Sequence, residues 1–236
     1  GASQQNLDGI HKKTVEIVEE VNSQVESKEN ELFYNGQFYS GSLAPEILFI
    51  GYNPGYGRNE WHERAIEYDK LRQPYKLNEI KYISEKNNRL GSQVHFLLED
   101  VLGKSKNFLK ESTAETNLIH FSTPDIPIYN QSIKSLNMES KEKIDKHFIK
   151  SLELIISSTK PKVIVIIGKG TFDKLKSKLN FDDLEIKEKN ASNQLICAKT
   201  ILHIPTKVNV LVTKHLSSPI SDSHIGDIGS YLKEML

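Results

Sequence analysis

The sequence predicts an α/β protein, a three-layer α/β/α sandwich around a mainly parallel sheet, and three observations predict it. Two short runs, Ile47-Leu48-Phe49-Ile50 and Val163-Ile164-Val165-Ile166-Ile167, are wholly apolar, as expected of strands in a sheet covered on both faces. A third run, Val208-Asn209-Val210-Leu211-Val212, is rich in β-branched residues and ends in a polar loop. Between these runs lie segments whose apolar residues recur at helical spacing, and strand–helix alternation is the signature of a parallel sheet. A chain of 236 residues is long enough for one domain with a sizeable core, so a single domain over 1–236 is expected.

The elements follow in order. Leu7, Ile10, Thr14, Ile17, Val18, Val21 and Val25 lie on one face of an amphipathic helix spanning residues 5 to 28. Asn35-Gly36 stands between Leu32-Phe33-Tyr34 and Gln37-Phe38-Tyr39, a hairpin signal because Asn-Gly supplies the positive φ of a type I′ turn. Helix and hairpin complete an N-terminal section over 1–44, and Ile47–Ile50 is the first core strand. Residues 56–88 are polar, charged and aromatic, with Trp61, Tyr68, Tyr75 and Tyr82, and read as an insertion or long loop. Leu90, Val94, Leu97, Leu98 and Val101 make one face of a helix over 89–103, with Gly103 as its C-cap. Thr116–Phe121 is read as a strand that opens near Asn117, then a polar loop over 122–138. A helix follows from about Ser140 to Ser158. Lys160-Pro161-Lys162 ends it, Val163–Ile167 forms the next strand, and Gly168-Lys169-Gly170 opens a helix over 172–179. A hairpin-like region over 184–204, the final strand and a C-terminal helix carrying Ile225, Ile228, Leu232 and Leu236 complete the chain.

Composition narrows the function classes. Lys plus Arg number 31 and Asp plus Glu number 31, so the formal net charge is zero. Any affinity for a polyanion must therefore come from a local basic face rather than from the whole. Lys169, Lys174, Lys199, Lys207 and Lys214 are the candidates. The one cysteine, Cys197, excludes an intramolecular disulfide and reads as a small buried hydrophobe. No apolar run approaches membrane-spanning length and no secretory signal pattern is read at the N-terminus, so cytoplasmic residence without membrane contact is expected. No two of the 8 histidines stand i, i+4 apart beside an acid, and no metal or cofactor is expected. Gly168-Lys169-Gly170-Thr171 lacks the full glycine pattern of a dinucleotide site.

The loops beyond two strands carry the functional signal, because ligands of open α/β sheets bind outside the carboxyl ends of strands. The first reads Gly51-Tyr52-Asn53-Pro54-Gly55, and the last reads His215-Leu216-Ser217-Ser218-Pro219-Ile220-Ser221. Taken with Asn117 between them, this order resembles the uracil-DNA glycosylase superfamily. The first motif is most similar to the mismatch-specific and single-strand-selective branches, and the likeness spans roughly residues 45 to 236. It departs at Leu216, where the family commonly has proline, which loosens the expected aim of His215. Branches that hold an iron–sulfur cluster need four thiolates and are excluded by the single cysteine.

The resemblance implies a role for each position. Asn53 orients the water that attacks the anomeric carbon, a centre that needs little nucleophilic activation once it is oxocarbenium-like. His215 stabilises the leaving base. Gly51, Tyr52, Gly55, Tyr56 and Asn117 form the base pocket, Asn117 reading the Watson–Crick edge of a flipped base. Tyr56, Trp61 and Tyr75 are candidate stacking partners. Ser217, Ser218, Pro219 and Ile220 contact DNA, with Ile220 or Leu216 as a wedge that replaces the extruded base. Gly55 stands where some uracil-specific members place a tyrosine, which implies a more permissive pocket. Each position also has a plainer reading: Asn53 as an Asx-turn residue, Asn117 as a strand-end cap, the serines as turn residues.

The function expected is that of a monofunctional DNA glycosylase, a hydrolase of base excision repair that works on uracil or a related damaged base. It acts as a monomer, with DNA as partner and no lyase step, since the motifs place no Schiff-base lysine. Two other readings remain open: a non-catalytic nucleotide- or nucleic-acid-binding member of the same fold, and a hydrolase of free nucleosides.

Overall fold

A computed structural model of the chain describes residues 2–27, 30–53, 76–77, 88–123 and 126–236. Apart from Lys76, Leu77 and Asn88, the expected 56–88 insertion lies outside the described residues, as do Gly55, Tyr56, Trp61 and Tyr75. The described residues within 1–39, 52–75 and 117–158 make one compact unit; those within 40–51, 76–116 and 159–236 make a second.

The second unit is built on an eight-stranded sheet in the order β3-β1-β4-β2-β5-β8-β7-β6. Its strands are β1 (Tyr39–Gly41), β2 (Ile47–Gly51), β3 (Lys76–Leu77), β4 (Thr113–Asn117), β5 (Val163–Ile167), β6 (Glu185–Lys189), β7 (Leu195–Ile204) and β8 (Thr206–Thr213). At the centre β5 runs parallel to β2, with Ile47 opposite Val163, and parallel to β8, with Ile167 opposite Thr213. β7 and β6 add an antiparallel edge. The protein is thus an α/β protein with a mixed sheet, parallel at its centre. Both apolar runs are buried at every position. Ile47, Phe49, Val163, Val165 and Ile167 share a core with Val94, Leu97, Leu98, Ile225, Ile228 and Leu232. Those partners come from α2 (Arg89–His95), the π-helical turn Phe96–Val101 that continues it, and α7 (Asp222–Met235). α3 (Lys106–Glu111) and α6 (Lys169–Lys176) belong to the same unit. Gly41 has φ +110, and a Cβ there would lie 2.4 Å from the Thr113 carbonyl oxygen, so β1 meets β4 closely only through glycine.

In the first unit, α1 spans Ala2–Asn22 rather than 5 to 28. Its last residue exchanges two 2.8 Å bonds with the Leu32 backbone, side-chain NH2 to carbonyl and N–H to side-chain oxygen, and this fixes the exit of the chain. The expected hairpin over 32–39 does not form. Asn35 accepts from the Gln37 N–H in an Asx turn, Ser122 N–H donates to the Phe33 carbonyl, and Phe33, Tyr34, Phe38 and Tyr39 are all buried. A hairpin would have alternated such residues across two faces. The loop expected over 122–138 contains a helix, α4 (Ile126–Lys134), in which Tyr129 and Ser132 are buried. The long helix α5 spans Met138–Thr159, and the Asn137 side chain accepts from Ser140 N–H at its start. Among the described residues, no helix is long and apolar enough to cross a membrane.

One strand sits elsewhere than expected. β4 ends at Asn117 instead of beginning there. Its residues, Thr113-Ala114-Glu115-Thr116-Asn117, lack an apolar run yet are all buried. The apolar residues after it, Leu118, Ile119 and Phe121, are buried in a loop, where Ile119 N–H bonds the Tyr52 carbonyl.

Candidate functional site

Asn53 follows β2 by two residues. Its Nδ2 donates to the Phe121 carbonyl at 3.2 Å and to the Thr123 hydroxyl at 2.9 Å. A carbonyl oxygen can only accept, so the amide nitrogen must face Phe121, and this fixes the side-chain flip. Among the described residues no donor reaches Oδ1. The neighbouring backbone is also fixed, since the Tyr52 carbonyl accepts from Ile119 N–H at 2.8 Å. The Tyr52 ring is buried, and burial together with the Asp145 charge raises its hydroxyl pKa. Tyr52 therefore stays protonated at neutral pH.

Asn117 stands at the carboxyl end of β4, the position that α/β sheets use for ligand contacts. It is 6% exposed and makes no side-chain hydrogen bond among the described residues. The shift of β4 puts Asn117 at the end of its strand, where the sequence reading had it at the start.

In the second unit, Gly51 closes β2 at the same sheet edge where β5 passes to Gly168 and β8 to His215. His215 opens a turn in which Ser218 N–H bonds its carbonyl at 2.9 Å. Ser217 N–H reaches its Nδ1 at 3.1 Å, and the Ser217 hydroxyl reaches the same nitrogen at 2.6 Å. An amide N–H is a donor only, so Nδ1 must be the acceptor and the ring proton sits on Nε2. Surrounding protein strips enough water from the ring to lower its pKa, which holds the imidazole neutral. The result is a neutral Nε2–H available at the mouth of the loop. Gly168 lies against this ring: a Cβ there would stand 3.2 Å from His215 Cδ2, and the residue has φ +93.

The loop also corrects the wedge assignment. Leu216 is fully buried in the core shared by β2, β5 and α7, and it anchors the turn instead of projecting from it. Ile220 packs against the same core while partly exposed. The Ser218 hydroxyl donates to the His215 carbonyl at 2.5 Å, so both serine hydroxyls are committed to the turn. A phosphate, which offers acceptors only, must exchange one of these bonds to be held by either. Pro219 is exposed, and its carbonyl accepts from Lys214 Nζ at 3.2 Å. Of the lysines considered for a basic face, Lys169 pairs with Asp173 and Lys199 with Glu234, both at 3.2 Å.

Three contributors escaped the sequence reading. Thr123 pins Asn53, and Gln93 of α2 bonds the carbonyls of Leu216 and Ser218, the latter at 2.9 Å. No pattern marks either residue. Gly168 was visible as a glycine closing a strand, but its packing against His215 was not. Among the described residues, Glu188, His224 and Asp227 bring one donor atom each within 4.8 Å of one another. The three side chains are partly exposed and no buried unpartnered group points at them, so no metal role is assigned. The Cys197 thiol, buried between β6 and β8, is pushed up to about 12, chiefly by burial, and is inert.

No protein-family model matches this chain, and no curated protein does either.

Proposed function

We propose that the protein is a monofunctional DNA glycosylase that hydrolyses the N-glycosidic bond of uracil or a related base, with the three-layer α/β/α fold of that superfamily. The observation that carries this reading is the pinned Asn53 amide, whose nitrogen two acceptors hold; in this reading its oxygen orients a water. In such a reaction the base departs with its bonding electrons, and the oxocarbenium-like sugar needs only a positioned water. The charge growing on the departing base is met by the Nε2–H of a neutral His215. In this reading the Asn117 amide supplies the acceptor–donor pair that a pyrimidine edge requires. No cofactor enters this chemistry, and a monomer suffices for it.

A second reading, a nucleic-acid-binding protein without catalysis, is favoured by one observation: Leu216 stands where the resembling family commonly has the proline that stiffens the loop of His215. Base release from single- and double-stranded oligonucleotides bearing uracil, hypoxanthine or xanthine, followed by alkaline cleavage of abasic sites, separates the readings. Release from any of them supports the glycosylase. Tight DNA binding without release selects the second reading, and activity confined to free deoxyuridine points to a nucleosidase.

A further inference from the structure

Gln93 lies on α2, outside every motif, and both protons of its amide go to one loop. It bonds the Leu216 carbonyl and, at 2.9 Å, the Ser218 carbonyl. The first of these bonds acts at a distance. The Leu216 carbonyl and the Ser217 N–H belong to one planar peptide unit and point in opposite directions. A donor that holds the carbonyl therefore aims the N–H, and that N–H is the one bonded to His215 Nδ1 at 3.1 Å. From the other side Leu216, fully buried, prevents the unit from sliding.

We propose that Gln93 is a positioning residue that sets the tautomer and aim of His215 through the Leu216–Ser217 peptide plane. The role requires donors at position 93 rather than bulk, because both partners are carbonyls. A carboxylate of the same shape repels them, whereas an ammonium, with three donors, serves both. The catalytic part of this inference rests on the glycosylase reading; the tautomer part does not.

The test compares Gln93→Leu, Gln93→Glu and Gln93→Lys with the wild type. One readout is the ¹⁵N resonances of the His215 imidazole; the other is single-turnover base release. In the wild type Nδ1 should report an unprotonated acceptor and Nε2 a protonated donor. In Gln93→Leu and Gln93→Glu the two resonances should move toward a tautomer mixture, and base release should slow about tenfold at unchanged KM. Gln93→Lys should stay within twofold of wild type on both readouts. Wild-type imidazole resonances in folded Gln93→Leu would overturn the proposal, as would a Gln93→Lys no better than Gln93→Leu. Should Gln93→Leu fail to fold, the isosteric Gln93→Glu decides the outcome by itself. If wild-type protein releases no base, the glycosylase reading falls and the resonances alone decide the role of Gln93.

Discussion

The Asn53 amide is held by two partners of unequal kind. The Phe121 carbonyl fixes which end of the amide is nitrogen, and the Thr123 hydroxyl fixes its rotation. Removing the hydroxyl while keeping the shape should leave Asn53 in place but loosely aimed. Thr123→Val is therefore expected to slow single-turnover base release by roughly five- to tenfold with KM unchanged. An equal loss in KM would instead mean that Thr123 serves binding. At this scale the sequence was informative about residue type and poor about partnership. Asn53 and His215 stood out because each follows an apolar run in a polar loop, whereas Asn117 stood out through the resemblance and was read as opening the strand that it ends. Thr123 lies 70 residues from Asn53, and Gln93 lies 123 residues from Leu216, so no local pattern could have joined either pair. Leu216 misled for a related reason: an aliphatic residue in a polar loop looks exposed until the core beneath it is known.

At the scale of elements, the parallel centre of the sheet was legible because β2 and β5 are buried on both faces and carry unbroken apolar runs. β4 was misplaced because its polar residues are buried and its apolar neighbours fold as loop. The false hairpin shows that Asn-Gly turns a chain without pairing its flanks, since every flanking aromatic found a buried place of its own. The junction between β5 and α6 allows a sharper test. Gly168 combines a φ that side chains rarely adopt with a ring 3.2 Å from where a Cβ would stand. Gly168→Ala is expected to cost about 1–3 kcal/mol in urea unfolding and to slow base release beyond that loss by displacing His215. Release that stays at the wild-type rate in the folded variant would mean that the ring does not depend on this contact.

At the scale of the whole molecule, neutral overall charge leaves recognition to local groups, and stability in acid depends on buried histidines in the first unit. His120 is enclosed by Phe38 and Phe148, with ring centroids at 5.1 and 4.6 Å, and burial lowers its pKa well below the ordinary value. His147 sits 2.7 Å from the Thr14 hydroxyl, whose own proton goes to the Ile10 carbonyl, so His147 Nε2 must donate. Burial lowers the His147 pKa from 6.5 to about 4. Between those values the unfolded chain binds a proton that the folded chain refuses, so stability falls as pH drops through that window. The loss is up to about 1.4 kcal/mol per pH unit for each such histidine. Urea midpoints measured from pH 7.5 to 4.5 should fall accordingly, and His147→Gln, which keeps a donor but cannot titrate, should flatten the fall. An unchanged slope would exclude His147 as its source. The proposed glycosylase activity rests on the oriented Asn53 amide. It is tested most directly by single-turnover release of uracil from a labelled oligonucleotide by wild type and by Asn53→Ala, both shown to be folded. Release by the wild type and a loss of about 100-fold or more in the variant are expected; equal rates, or no release by either, would overturn the proposed function.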